Sequence, residues 1–324
     1  ALRGELERPA SAAVDVAGWG GRIYAELPHA DAAELGRHLR LPFVLGEGRG
    51  AMRIWLELAA GRPVAATADL ALQAVALQLA PELPVLALRE LHGRVTLRHA
   101  PQRFELDLEG LRFEAGEGVA WPAADLRLAL DLAPHAAGAA AADDAVAGLP
   151  EVVGGRLQAD RVELAVLARL AARLPLPAAA HETLAAVSPE GRLHDLVLQW
   201  QGAPQAPQRW HAALRAEGLA LAAGPVGAGG PPGDGQLPGP GRPGLRGASV
   251  QLQASESGGR AELAIRDGAL VLPGVFDEPT LPLTRLEARL DWSVVPAAGA
   301  GAPAVEVVLH GAELVNADLR ATLQ

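Results

Sequence analysis

The chain has 324 residues, of which 50% are hydrophobic and 20% charged, so it is long and apolar enough to bury a sizeable core. Its formal net charge of −10 argues against a nucleic-acid partner, because phosphate binding needs a basic surface. All 28 basic residues are arginines and cysteine is absent, which excludes Walker A lysines, Schiff-base lysines, thiol nucleophiles and disulfides.

Targeting and membrane signals are missing from this stretch of sequence. No run reaches about 18 apolar residues, the length at which a membrane helix is suspected. The first residues, Ala1 to Glu5, have neither a basic n-region nor an apolar h-region. We therefore expect a mature or excised soluble part of a protein, and the lack of cysteine is compatible with the periplasm.

Short helices and many strands are predicted in chain order. Helices are expected at residues 31–40, 161–174 and 178–187, and their Asp-x-x-Glu starts at Asp31 and Asp160 resemble capping boxes. Elsewhere apolar and polar residues alternate, which is typical of antiparallel strands with one dry and one solvated face. The clearest cases are Phe104–Glu109, Leu126–Leu132, Val250–Ala254 and Leu286–Trp292. The expected fold is mainly β: an elongated, curled antiparallel sheet, or β-groove, with a few short helices.

The predicted elements recur in the same order in two halves of the chain. The matched segments are Asp31–Glu34 with Asp160–Glu163, Ile54–Leu58 with Leu196–Trp200, Glu105–Leu108 with Glu262–Ile265, and Leu126–Leu132 with Leu286–Trp292. We predict a first repeat unit, with N-terminal strands, at residues 1–150 and a second at 151–324. The second contains a Gly/Pro-rich run at 224–244, which is expected to be a disordered loop.

Catalytic and metal-binding motifs are not found. His181-Glu182 lacks the second histidine of a zincin, since residue 185 is Ala185. Ser188 does not lie in a Gly-x-Ser-x-Gly elbow, and the glycine-rich Gly46–Gly50 run precedes a strand instead of a helix. The sequence predicts no enzyme, no catalytic residue, no metal site and no cofactor.

Six short motifs together resemble the YhdP group of AsmA-like bacterial envelope proteins. They are Gly154–Leu170, Leu174–Pro177, Pro189–Leu193, Gly244–Ala248, Leu272–Phe276 and Asn316–Leu319. The resemblance implies a periplasmic protein of a Gram-negative bacterium, anchored in the inner membrane by an N-terminal helix that this sequence lacks. It also implies a long β-groove that carries phospholipid between the inner and outer membranes, of which this chain would be one section.

The alternating strands indicate which side chains would line such a groove and contact phospholipid acyl chains. Their apolar members share one face of each strand, and Ala among Leu leaves width for a hydrocarbon chain. The predicted lining residues are Leu56, Leu58, Leu106, Leu108, Leu126, Leu128, Leu130, Leu196, Leu198, Trp200, Leu263, Ile265, Leu286, Leu290 and Trp292.

A second hypothesis belongs to a different functional class. The chain could be an envelope scaffold or outer-membrane assembly factor that binds partner proteins through its sheet edges. An open, continuous apolar face would favour the lipid groove, whereas a face closed by its own side chains would favour the scaffold.

Overall fold

The computed structural model describes residues 1–7, 19–34, 43–134, 151–226, 241–295 and 304–323. Within these ranges, fifteen strands are hydrogen-bonded in the order of the chain, and the neighbouring pairs whose registers are resolved are antiparallel. The sheet is not closed, because β1 and β15 stand at the two ends of the strand order. The prediction of a mainly β, antiparallel protein with a few short helices is therefore confirmed.

The strands are long and separated by short connections. Their bounds are β1 Leu2–Glu7, β2 Gly20–Asp31, β3 Val44–Ala59, β4 Arg62–Gln78, β5 Leu86–Ala100, β6 Arg103–Ala115, β7 Ala120–Leu132, β8 Val152–Glu163, β9 Glu190–Ala203, β10 Ala206–Leu221, β11 Gly244–Ser255, β12 Gly258–Val271, β13 Thr280–Val295, β14 Ala304–Val315 and β15 Arg320–Leu323. Helices α1 (Leu164–Leu170) and α2 (Ala178–Val187) lie between β8 and β9. Between β3 and β4, Ala60 and Gly61 have φ angles of 50° and 70°, as a type I′ hairpin turn requires.

The structure agrees with the three predicted helices to different extents. Asp31 accepts hydrogen bonds from the N–H groups of Ala33 and Glu34 and so begins a helical turn at residues 32–34, but residues 35–40 lie outside the described part of the chain. The helix predicted from residue 161 is wrong at its start, because β8 continues to Glu163 and α1 begins at Leu164. The helix at 178–187 is confirmed as α2.

Pairing within the sheet explains the error at the second helix. Asp160 does not cap a helix; its carboxylate accepts the backbone N–H of Asp125 at 2.7 Å, across the β7–β8 pair. The neighbouring Ala159 is hydrogen-bonded in register with Leu126. Tertiary pairing therefore outweighed a local capping signal, which is a weak preference of about 1 kcal/mol.

The internal contacts of the chain define two compact units. The first comprises Ala1–Asp160, Ala172–Pro175 and Gln199–Gln208, and the second comprises Arg161–Ala171, Leu176–Leu198 and Arg209–Gln324. Most of the predicted disordered loop at 224–244 falls on residues 227–240, which are outside the described residues, as are residues 135–150.

In the first unit, most fully buried side chains lie at one end of the strands. This packed end is where residues 79–85 join β4 to β5 and residues 116–119 join β6 to β7. Its core residues are Ala30, Ala32, Leu72, Val75, Leu86, Leu88, Ala115 and Val119. At the opposite end, which we call the turn end, Ala60–Gly61 and Pro101–Gln102 form the hairpin turns. Leu132 and Thr96 are exceptions, because they are buried nearer the turn end.

The second unit has the same arrangement. Ala248, Ile265, Leu283 and Leu286 form a packed cluster near the connection between β12 and β13, with exposures of 7% or less. Leu245, Leu270 and other half-buried residues pack against this cluster. The hairpin turn at Glu256–Ser257 lies at the other end of the strands.

Many strands also carry a bulge in or near the packed part. The register shifts there, and single residues adopt positive φ, which bends a strand and increases its twist. Positive φ values of 49° to 72° occur within strands at Ala74, Gly110, Asp195, Gly218, Gly247, Asp267 and Gly311.

Candidate functional site

A continuous apolar row crosses seven strands of the first unit. In the hydrogen-bonded registers, one residue from each of β2 to β8 lies directly opposite the next, and every member is half-buried. The row consists of Ile23, Leu56, Ala66, Leu97, Leu106, Leu128 and Leu157. Side chains on one face of a strand repeat every second residue, so the row two residues along shares this face.

That neighbouring row is also apolar throughout. It consists of Ala25, Ile54, Ala68, Val95, Leu108, Leu126 and Ala159, again one residue from each of β2 to β8. We call these two rows the apolar face of the first unit. Of the fourteen side chains, only Ala159 is fully buried. The face thus remains accessible over its whole width.

The second unit repeats this arrangement across β10 to β14. One row consists of Leu214, Leu252, Ala261, Leu290 and Leu309, and the next consists of Ala212, Ala254, Gly259, Trp292 and Val307. Leu214, Leu252 and Leu290 are half-buried, and Leu309 is 42% exposed. We call these rows the apolar face of the second unit.

The opposite face of the first unit is polar and carries a ladder of ion pairs between neighbouring strands. Arg53 binds Glu26 at 3.3 Å, Arg94 binds Asp69 through two hydrogen bonds of 2.6 and 3.0 Å, and Arg98 binds one oxygen of Asp107. The hydrogen bond from Arg94 lowers the pKa of Asp69, which is only partly offset by desolvation of the carboxylate. These charges keep the polar face in water.

Aromatic side chains interrupt the polar face at one place. Tyr24 and Trp55 are opposite each other in β2 and β3, with ring centroids 5.3 Å apart. The guanidinium carbon of Arg94 lies 5.8 Å from the Trp55 ring centroid. Trp55 is 36% exposed, so this tryptophan belongs neither to the packed core nor to the apolar face.

Most of the predicted lining residues are accessible members of the two apolar faces or of strand β9. Leu106 lies opposite Leu128, Leu108 opposite Leu126, and Leu130 opposite Phe104. All fifteen are half-buried except Ile265 and Leu286, which are 0% and 7% exposed and belong to the packed cluster of the second unit.

Trp200 and Trp292 each cover a glycine in an adjacent strand. A side chain at Gly155 would collide with the Trp200 ring, and one at Gly259 would collide with the Trp292 ring. Glycine inside a strand often marks such a close approach. The two rings therefore lie across a neighbouring strand and fill part of the apolar face near the turn end.

Chemistry-bearing groups do not converge in the described ranges. No group of three or more His, Asp or Glu side chains is placed to hold a metal ion there. Likewise, none of the helices in the described ranges is long and apolar enough to cross a membrane. A depression of about 550 Å³ lies on the polar side of the second unit, but its acidic and basic side chains already have partners, as Arg289 has in Glu262 at 3.3 Å.

Sequence reasoning missed several members of the apolar faces. Ile23, Leu97 and Leu157 were not among the predicted lining residues, although each occupies an alternating apolar position. The strand bulges were also missed. Their available signal was an isolated glycine inside an alternating segment, as at Gly110 and Gly247.

Comparison with known proteins identifies the family of the chain. The family model of the YhdP protein matches residues 2–320. No curated protein and no solved structure matches the chain. Since the family model spans nearly the whole sequence, the resemblance drawn from the six motifs is confirmed, and the chain belongs to the YhdP family of AsmA-like envelope proteins.

Proposed function

We propose that this chain is a periplasmic section of a lipid-transport protein, whose apolar faces carry phospholipid between the inner and outer membranes. The observation that supports the proposal is the apolar face of the first unit, which is seven strands wide and only half-buried. Monomeric proteins rarely leave a contiguous apolar patch of this kind without something to cover it.

The dimensions of the face suit acyl chains. Neighbouring strands are about 4.8 Å apart, so a row of seven residues extends about 29 Å along the sheet. The hydrocarbon core of a bilayer, which holds two acyl chains end to end, is about 30 Å thick. Each methylene group that leaves water for such a face contributes about 0.8 kcal/mol, which offsets extraction from a membrane without any polar contact.

The proposal includes a curled sheet built from two repeats. The matched segments of the sequence occupy β3 and β9, β6 and β12, and β7 and β13, each pair being six strands apart. The equivalence extends to register, since Leu106 lies opposite Leu128 and the matched Leu263 lies opposite Ala288. The bulges supply the bends by which each unit would wrap around its apolar face.

Other aspects of the proposal concern location and partners. In it, the full-length protein is anchored in the inner membrane of a Gram-negative bacterium, binds no nucleic acid, needs no cofactor and catalyses no reaction. Its ligands are the acyl chains of phospholipids. The half-buried, continuous rows favour this function over an assembly scaffold, which would have no use for an apolar face of this width.

The test is extraction and mass spectrometry of lipid that co-purifies with the chain. Leu108→Glu and Leu198→Glu each place a carboxylate among predicted lining residues. The control is Gln199→Glu, in which the side-chain amide of the residue next to Leu198 in β9 becomes a carboxylate. We expect phospholipid on the unmodified chain and on Gln199→Glu, and its loss from both leucine variants. Lipid-free protein of normal β content, or equal loading of all variants, would contradict the proposal.

A further inference from the structure

The two ends of each apolar face differ in how they are closed. At the packed end, buried side chains such as Leu72 in the first unit and Ile265 in the second close the face. Toward the turn end, the next row of the first unit contains Phe104 and Leu130, which are half-buried, and His99, which is exposed. The apolar surface therefore gives way to polar side chains and water at the turn end.

A tryptophan ring lies at this margin in each unit. Gly155 lies opposite Leu130, and the ring atoms Cζ2 and Cη2 of Trp200 occupy the space that a side chain at this glycine would need. In the second unit, the same two ring atoms of Trp292 occupy the corresponding space at Gly259, which lies directly opposite. Both rings are half-buried, so each covers a glycine and still presents part of its surface.

The proposed repeat does not account for the positions of these tryptophans. In the matched segments of the sequence, Trp200 corresponds to Leu58 and Trp292 corresponds to Leu132. Leu58 lies opposite Gly21, but a side chain at Gly21 would collide with the neighbouring backbone and not with the leucine. The arrangement of a ring over a glycine is therefore present at different strands of the two units, in both cases near the turn end.

The arrangement has costs that packing alone does not explain. A glycine inside a strand weakens the strand. The indole N–H of Trp200 is enclosed and has no acceptor among the described residues, which lowers stability. Leucine or phenylalanine would fill the same space without bringing a donor. Local costs of this kind are typical of positions that serve a function.

We propose that Trp200 and Trp292 form the turn-end wall of the acyl-chain path. Bound chains contact the accessible part of each ring, and the ring limits the width of the path. This inference rests on the proposed lipid-binding function and adds the residues that determine which chains fit. In the first unit, two apolar rows about 7 Å apart lie between Trp200 and the packed end. A straight chain can follow such a row, whereas a branched chain would press against the ring.

Fluorescence quenching by bound lipid tests the contact. The chain is loaded from phosphatidylethanolamine–phosphatidylglycerol vesicles with brominated acyl chains and then separated from them, because bromine quenches tryptophan emission only at contact. We expect Trp200→Phe and Trp292→Phe each to lower the quenched fraction of the emission. Trp55→Phe is the matched control, because Trp55 is 36% exposed but lies on the polar face, so its removal should raise the quenched fraction.

Competition between two lipids tests the limit on width. Trp200→Ala and Trp292→Ala remove most of the wall in their units. Binding of a methyl-branched phospholipid relative to its straight-chain form should then rise by about fourfold for each methyl group that the ring had excluded. Trp55→Ala should leave this ratio unchanged. Circular dichroism of each variant checks that the β content is retained.

The outcomes separate this inference from the proposed function. Normal lipid loading with the same quenched fraction in all three phenylalanine variants would overturn the wall and leave lipid transport standing. So would an unchanged lipid ratio in both alanine variants. A chain that takes up no lipid at all would overturn both proposals.

Discussion

Leu128→Glu is the substitution that most sharply separates a lipid-binding face from an ordinary half-buried sheet. Leu128 lies opposite Leu106 and Leu157 in the apolar face of the first unit. The adjacent Ala129 lies on the polar side, opposite Glu105 and Arg156. Ala129→Glu therefore introduces the same carboxylate in the same strand, one residue away, but toward water and next to an arginine.

The expected loss of lipid follows from the cost of covering a carboxylate with hydrocarbon. An ionised carboxylate resists burial so strongly that it takes up a proton instead. Protonating a glutamate of ordinary pKa, about 4.3, costs about 3.7 kcal/mol at pH 7. That is a roughly 500-fold weaker affinity for a lipid that covers this position. The cost falls to nearly zero at pH 4, so loading of Leu128→Glu should recover in acid.

Loading from fluorescent-phospholipid vesicles, measured between pH 4 and pH 7, would test this reasoning. Stability of the variant should fall only modestly, by about 1–1.5 kcal/mol, because Leu128 is only half-buried. Ala129→Glu should load normally at every pH. Equal loading of the two variants at pH 7, or a loss in Leu128→Glu that acid does not relieve, would refute a lipid contact at this face.

Three further predictions concern stability. Leu72→Ala removes a 2%-exposed side chain from the packed end, so urea denaturation should show a loss of about 2–5 kcal/mol. Gly258→Ala drives a Cβ atom into a neighbouring strand's carbonyl oxygen, whereas Gly311→Ala meets no atom, so the melting temperature should fall much further in the first variant. Arg94 lowers the pKa of Asp69, so the ionised pair stabilises the fold at pH values above the ordinary carboxyl range, and this stabilisation is lost as the pH falls through the lowered pKa. Asp69→Asn should therefore lower the free energy of unfolding by about 0.2–1 kcal/mol at pH 7 and by little in acid. Denaturation measured at both pH values tests this difference.

Sequence alternation was sufficient to predict the strands and their apolar sides. Leu106 and Leu128 were both assigned to one face from period-two spacing, and the register places them directly opposite each other. Alternation fixes a side but not a position along the strand. It could not reveal that Leu286 belongs to the packed cluster while Leu290, four residues later on the same face, remains accessible. That difference depends on which residues the bulges and connections bring against the strand.

The wrong helix start at residue 161 shows a second limit of sequence-based prediction, in which a distant contact overrides a local signal. A capping signal is local, and Asp160 used its carboxylate to satisfy the N–H of Asp125 in the neighbouring strand. Such a contact joins residues 35 positions apart, which single-sequence propensity does not register. Bulges were still harder to predict from the sequence. Asp195 and Asp267 adopt φ values of 52° and 50°, and neither position has the glycine that would indicate such a conformation.

The separation of packed and accessible regions bears on how a cargo could be exchanged. Within each unit, most fully buried side chains lie at the packed end, while backbone pairing and ion pairs such as Arg94 with Asp69 support the strands elsewhere. The half-buried rows therefore contribute less to stability, when uncovered, than the roughly 1.5–3 kcal/mol that full burial of each large side chain supplies. A face that the fold does not need to cover can be filled and emptied without unfolding. This is the property that a groove for moving lipid requires, and a closed hydrophobic core would lack it.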